Sequence, residues 1–183
     1  MHYDDQFSEL ALQLIEINFK AFWIIFSKAL LSSDYFVYSA KNLFGSDHGN
    51  TNGGKQGMLF TNPENWDKII EWCMENSTKG PIFIATLMPI YDSDNNTWHP
   101  FANKMINEFG NNPDFLTTMS ANMGSFGWVG SPIDYYESEI RLYEQLLGHS
   151  ILNVKDFARK QIEILKQLIE RQKLEEEERF LGL

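Results

Sequence analysis

The chain has 183 residues, of which 43% are hydrophobic and 14% aromatic, a composition that excludes disorder and supports one folded domain with a sizeable core. Its formal net charge of -10 at pH 7 repels a phosphate backbone, so we expect no nucleic-acid partner. The single cysteine, Cys73, excludes an internal disulfide and fits a reducing compartment, so we expect the chain in the cytoplasm.

Residues 4–44 predict N-terminal helices: a long helix or two joined helices over residues 4–31, and a shorter helix over residues 35–44. In the first, the periodicity predicts one buried face: Phe7, Leu10, Leu14, Ala21, Ile25 and Ala29. The stretch from Phe19 to Leu31 is apolar around most of its circumference, so it must be covered on most sides. It is shorter than the roughly 20 apolar residues of a membrane span, so we expect no membrane partner. We expect either a central helix or a helix that packs on further chain, including a homo-oligomer through Phe19 to Leu31.

A glycine- and asparagine-rich loop is predicted over residues 45–61. Within it, the sequence GNTNGGK from Gly49 to Lys55 has the spacing of a phosphate-binding loop. Gln56 stands where such a loop needs Ser or Thr, and no hydrophobic strand precedes it. The stretch therefore predicts a polar loop and no nucleotide site.

Residues 62–172 read as helical pairs, each opened by proline and closed by glycine or a polar turn. The pairs span residues 62–91, 100–124 and 132–171, and units of about 30 to 40 residues are typical of helical repeats. No strand is predicted. From Lys173 the apolar pattern ends, and residues 173–183 are predicted to be a charged, frayed tail.

Residues that could carry chemistry lack the spacing that chemistry needs. The four histidines share no metal-ligand spacing, and Asp92, Asp94 and Asn96 resemble a calcium loop that lacks its glycine and its glutamate. Cys73 lies on an apolar helix face and reads as inert core. We therefore expect no metal, no cofactor and no catalytic activity.

Aromatic residues cluster around the second helical pair: Trp98, His99, Phe126 and Trp128. The glycines near Phe126 and Trp128 would let the loop fold tightly over the helix ends. Two interpretations stay open. The aromatics could plug the junction between helical pairs, or they could form a contact surface for another protein or domain, because aromatic residues anchor interfaces.

Three segments carry a family resemblance: WHPFANKMINEFG, SANMGSFGWVGS and LYEQLLGHSILNVKDFARKQIEILKQLIERQ. They resemble the C-terminal HEAT-like helical-repeat region of large bacterial multidomain proteins, which often carry a nucleotide-binding or effector domain upstream and in some cases take part in anti-phage defence. The resemblance implies an all-α, HEAT-like α-α superhelix of antiparallel helix pairs. It assigns structural roles to Leu146, His149, Val154 and Ala158.

The function expected from these observations is a non-catalytic scaffold or recognition module that contacts a protein or an adjacent domain. The alternative is a small helical enzyme or ligand-binding domain. In that case the polar loop from Gly45 to Gly57 and the imidazole of His99 would line a pocket.

Overall fold

The computed structural model describes residues 3–44, 57–92, 96–123 and 131–181, and in this part the chain is all-α, as predicted. The helices are α1 (Tyr3–Ser32), α2 (Asp34–Phe44), α3 (Trp66–Glu75), α4 (Gly80–Leu87), α5 (Pro100–Phe109), α6 (Pro113–Met123), α7 (Ile133–Leu146) and α8 (Leu152–Leu181). Two 3-10 turns, Met58–Phe60 and Pro63–Asn65, precede α3. The prediction of no strand was wrong for one short antiparallel ribbon, in which β1 (Tyr91–Asp92) pairs with β2 (Thr97–Trp98).

Helix α1 is two helical segments joined at Asn18, whose backbone is extended (φ -157°, ψ 78°). The Asn18 side chain then caps the second segment, because its Oδ1 accepts a hydrogen bond from the N–H of Ala21 at 3.1 Å. Of the two predicted alternatives, one long helix or two joined helices, the second is therefore the one observed. The second segment, residues 19–32, spans about 21 Å.

The buried face of α1 differs from the predicted one. The side chains that face the core are larger and mostly aromatic: Ile15, Phe19, Trp23, Phe26 and Leu30. Trp23 meets the ring of Trp72 on α3 edge-to-face at 5.5 Å, and Phe26 meets Phe44 on α2 at 5.1 Å. The predicted face was wrong at Leu10, Leu14 and Ile25, which are exposed. The periodicity could not show which side of this helix is buried, because apolar residues lie on both sides.

The start of the next pair also differs in detail. Thr61 and Glu64 have the spacing of a capping box, but the Thr61 hydroxyl donates back to the Met58 carbonyl at 3.0 Å. Asn62 is the cap instead, since its Oδ1 accepts from the N–H of Glu64 at 3.0 Å. Helix α4 ends at Leu87, two residues before Pro89, as proline requires.

The second helices of successive pairs contact one another in order along the chain: α2 with α4, α4 with α6, and α6 with α8. Within pairs, α1 packs on α2, α3 on α4 and α7 on α8. Asn122 on α6 reinforces the middle of this series, because its amide donates to the carbonyls of Ala85 and Met88 at 3.0 and 3.2 Å. One continuous apolar core runs from Ile15 to Leu165.

Helix α5 ends against the start of α8. A Cβ atom on Gly110 would lie 2.4 Å from a methyl carbon of Val154 and 2.5 Å from the Ile106 carbonyl oxygen. The φ of Gly110 is -64°, which any residue can adopt. Glycine is therefore required here by close approach and not by backbone conformation.

Helix α8 continues well past the predicted boundary at Lys173, and the expectation of a frayed end there was wrong as far as Leu181. Side chains in this last part are exposed, including Leu174 and Phe180. Neighbouring turns are linked by polar pairs, such as Gln172 to Glu176 at 3.1 Å and Lys173 to Glu170 at 3.4 Å. Good helix formers and such pairs continue a helix without an apolar face.

Candidate functional site

The predicted contact surface falls partly in the core. Trp98 is 3% exposed, and its indole N–H donates to the Leu142 carbonyl on α7 at 2.8 Å. Its ring meets Tyr143 edge-to-face at 5.6 Å. Trp98 therefore joins β2 to α7, which corrects its placement on a contact surface and matches the junction interpretation. Phe126 and Trp128 lie outside the described residues.

His99 is half-buried and caps α5. Its Nδ1 accepts a hydrogen bond from the N–H of Phe101 at 3.2 Å, and its ring meets Trp66 edge-to-face at 5.9 Å. Burial lowers the pKa of His99, and nearby Asp92 opposes that effect in part. A neutral imidazole that accepts a backbone hydrogen bond suits a capping role. Whether its exposed part meets a partner stays a prediction.

Sequence reasoning missed a buried polar cluster around Glu139 on α7. The Glu139 carboxyl accepts a hydrogen bond from the Tyr135 hydroxyl, which also lies 3.3 Å from the Met123 carbonyl at the end of α6. Burial raises the pKa of Glu139, and the hydrogen bond from Tyr135 opposes that effect. Burial and the Glu139 charge also raise the pKa of Tyr91 on β1. The helical spacing of Tyr135 and Glu139, one turn apart, was the only signal of this pair in the sequence.

The cluster joins several elements. The Tyr143 hydroxyl donates to Ser120 on α6 at 2.9 Å, and Ser138 on α7 donates to Asn96 before β2 at 2.9 Å. Asn96 adopts φ +48°, a left-handed conformation that asparagine tolerates better than most residues. These separate hydrogen-bonded pairs connect α7 to α6 and to the residue before β2. The cluster therefore fixes the junction of the helical pairs.

No metal-binding group of three or more His, Cys, Asp or Glu side chains occurs within residues 3–44, 57–92, 96–123 and 131–181. Cys73 is fully buried, and burial raises the pKa of its thiol. The phosphate-loop pattern at Gly49 to Lys55 lies outside the described residues. The described residues on either side of it are close together, since the N–H of Gly57 donates to the Phe44 carbonyl at 3.2 Å.

An exposed apolar surface lies on the outer side of α1 and α2. It forms an open groove of about 420 Å³, called here the α1–α2 groove. Nine residues line it: Leu14, Ile17, Asn18, Ala21, Phe22, Ile25, Phe26, Ala29 and Phe36. None of the nine is charged.

Side chains of this groove are exposed to an extent that is unusual for aliphatic residues. Ile17 is 80% exposed, Ile25 is 73% exposed and Leu14 is 49% exposed. Singly exposed aliphatic residues are ordinary, but a contiguous apolar surface marks a site of interaction. Within α1, residues 9–32 are also long and apolar enough to cross a membrane, with a mean hydropathy of 1.4 and 28% of that window buried.

The chain matches no family model, and no curated protein or solved structure is significantly similar to it.

Proposed function

We propose that the chain is a helical recognition module that binds another polypeptide through the α1–α2 groove. The observation that carries this proposal is the combination of exposed Ile17, Ile25 and Leu14 in one uncharged groove. Side chains left in water do not gain the free energy of burial, which is about 1.5–3 kcal/mol for a fully buried Leu or Ile side chain. A partner that covers the groove would recover that free energy.

The opposite side of the same helix supports the proposal. Trp23, Phe26 and Leu30 already hold α1 on the body of the domain. The exposed groove side chains of Leu14, Ile17 and Ile25 are therefore not needed to attach α1 and are available for a second contact. The Glu139 cluster, in contrast, consists of separate hydrogen-bonded pairs, which favours a structural role for the junction.

For the architecture, we propose a HEAT-like stack. The support is the order of contacts, in which α2 contacts α4, α4 contacts α6 and α6 contacts α8. His149 holds a further structural position, since its Nδ1 accepts from the N–H of Ile151 and its Nε2 lies 2.9 Å from the Asn107 side-chain oxygen. Leu146, Val154 and Ala158 are buried. These positions support the resemblance to helical-repeat regions of bacterial multidomain proteins, which stays a prediction.

The test of the recognition function uses Ile25→Glu in the full chain, expressed in its native cells. A charge at a 73% exposed position leaves the fold intact but places an unpaired carboxylate in the groove. Leu174→Glu is the matched control, because Leu174 is 60% exposed on the far part of α8. We expect wild type and Leu174→Glu to elute from lysate in the same complex larger than the monomer, and Ile25→Glu to elute as the monomer. Identical elution of all three proteins would contradict the proposal.

A further inference from the structure

A second groove lies on the other side of α1, between α1 and α3, and is called here the α1–α3 groove. It has a volume of about 590 Å³ and shares no residue with the α1–α2 groove. Its floor is aromatic, because the buried rings of Trp23 and Trp72 meet edge-to-face at 5.5 Å. Ile24, which is 48% exposed, adds an aliphatic wall. An apolar floor of this size with a few polar groups around it is typical of a small-molecule site.

Two contacts show how α1 and α3 are aligned along this groove. The Lys68 Nζ lies 5.8 Å from the centre of the Phe19 ring, and Trp72 meets Trp23 one turn further on. Both contacts advance by four residues on each helix, so the two helices run in the same direction. Lys20 directly follows Phe19, and it therefore lies at the same end of the groove as Lys68.

The end of the groove at Lys20 and Lys68 can hold an anion. Both lysines are exposed, and neither forms an ion pair with another described residue. Glu71 also lines the groove, but it is about 100° around the helix axis from Trp72, whereas Lys68 is about 40° from it. Glu71 therefore stands at the outer rim. The three side chains together give this end a net charge of +1, which matches the single negative charge of a carboxylate.

The other end of the groove offers a hydroxyl group without a partner. One turn beyond the tryptophan pair, Ser27 is only 5% exposed, and its hydroxyl forms no hydrogen bond with another described residue. Asn76 at the same level does not pair with it, since the Asn76 Nδ2 donates to the Trp72 carbonyl at 2.9 Å. Lys28 and Glu75 line this end with opposite charges. A buried hydroxyl is normally hydrogen-bonded, so a polar atom of a ligand would complete this end of the groove.

The separation of the two ends sets the length of the ligand. Ser27 is two turns after Lys20, which is a rise of about 11 Å along the helix. A saturated chain of about ten carbon atoms covers the same distance, at carbon–carbon bond lengths of about 1.5 Å.

We propose that the α1–α3 groove binds an amphiphilic carboxylate of this length. Its carboxylate lies between Lys20 and Lys68, its apolar chain lies on Trp23 and Trp72, and an oxygen at its far end pairs with Ser27. This site is separate from the surface of the recognition function and does not depend on it.

The test is an NMR titration of the purified full chain with three probes that share one saturated chain. The probe 10-hydroxydecanoate carries both end groups, decanoate lacks the hydroxyl, and 1,10-decanediol lacks the charge. We expect 10-hydroxydecanoate to shift the indole N–H resonances of Trp23 and Trp72 saturably, with a dissociation constant on the order of 1 mM. Decanoate and 1,10-decanediol should each bind about threefold more weakly or worse.

Variants assign each end of the probe. Lys20→Gln and Lys68→Gln should each weaken 10-hydroxydecanoate by about two- to fivefold, as expected for exposed charge pairs, and leave 1,10-decanediol unchanged. Ser27→Ala should bind 10-hydroxydecanoate only as tightly as decanoate. Lys160→Gln is the matched control, because Lys160 is an exposed lysine on α8, outside the groove. All four substitutions suit a helix, so the circular dichroism spectrum should stay that of wild type.

Three results would overturn the inference. The first is the absence of saturable shifts at probe concentrations well above the expected dissociation constant. The second is equal affinity for 10-hydroxydecanoate and 1,10-decanediol, or binding that Lys20→Gln and Lys68→Gln leave unchanged. The third is a set of shifts confined to Ala21 and Ile25, which would place the probe in the α1–α2 groove. None of these results bears on the recognition function, whose test uses Ile25→Glu.

Discussion

The close approach of α5 to α8 at Gly110 predicts the cost of a single added methyl group. In Gly110→Ala, the new Cβ would lie 2.4 Å from the Val154 methyl carbon, whereas carbon atoms pack at about 3.5–4.0 Å. Val154 is stiff because it is β-branched, and the Ile106 carbonyl oxygen at 2.5 Å is backbone. Relief therefore requires α5 and α8 to separate. Overpacking of this kind costs about 1–3 kcal/mol.

Urea denaturation followed by circular dichroism at 222 nm measures this cost. For a chain of this size, a loss of about 2 kcal/mol also lowers the melting temperature by about 4–8 °C. Gly148→Ala is the matched control, because nothing lies within 4 Å of its added Cβ. This variant should be as stable as wild type or more stable by about 0.4–1 kcal/mol, because alanine reduces the conformational entropy of the unfolded chain.

A double-mutant cycle identifies the source of the effect. Val154→Ala removes the nearer contact, so Gly110→Ala should cost less in that background than in wild type. Part of the cost should persist because the Ile106 carbonyl remains close. A Gly110→Ala variant as stable as wild type, or an unchanged cost beside Val154→Ala, would refute the reasoning from close packing.

Three further predictions concern named side chains. Glu139→Gln should gain stability relative to wild type as pH rises from 4 to 7. Burial raises the pKa of Glu139 in the folded chain above its value in the unfolded chain. The stabilising contribution of the protonated Glu139 is therefore complete at low pH and is lost as pH rises through the folded pKa. Urea midpoints at several pH values would show this, and parallel pH profiles would contradict it. Trp98→Phe should cost about 1–3 kcal/mol, since the bond to the Leu142 carbonyl is lost in the core; a thermal melt within 1 °C of wild type, on the order of measurement error, would contradict it. Asn18→Ala should cost about 1 kcal/mol by removing the cap at the α1 kink, and unchanged urea midpoints would argue against that cap.

Much of the helical framework could be predicted because its boundaries are encoded locally. Pro100 begins α5, and Asn112 caps α6 through hydrogen bonds from Asp114 and Phe115. Proline and capping side chains act within one turn, so a single sequence shows them. The all-α class follows from these signals.

Tertiary relationships could not be predicted in the same way. The buried side of α1 depends on which surface meets Trp72 and Phe44, and both sides of the helix are apolar. The Glu139 cluster depends on α6, the ribbon and α7 meeting, which no local pattern encodes. The ribbon at Tyr91 and Trp98 is only two residues long in each strand, too short for an alternating pattern.

The most direct test of the central claim, that the α1–α2 groove is the binding surface, is photo-cross-linking in living cells. A photoreactive amino acid would replace Ile25 in one protein and Leu174 in another, and cross-linked products would be identified by mass spectrometry. We predict a cross-linked polypeptide from position 25 and none from position 174, with a mass of two chains if the partner is a second copy. Equal yields at both positions, or no product from position 25, would contradict the account.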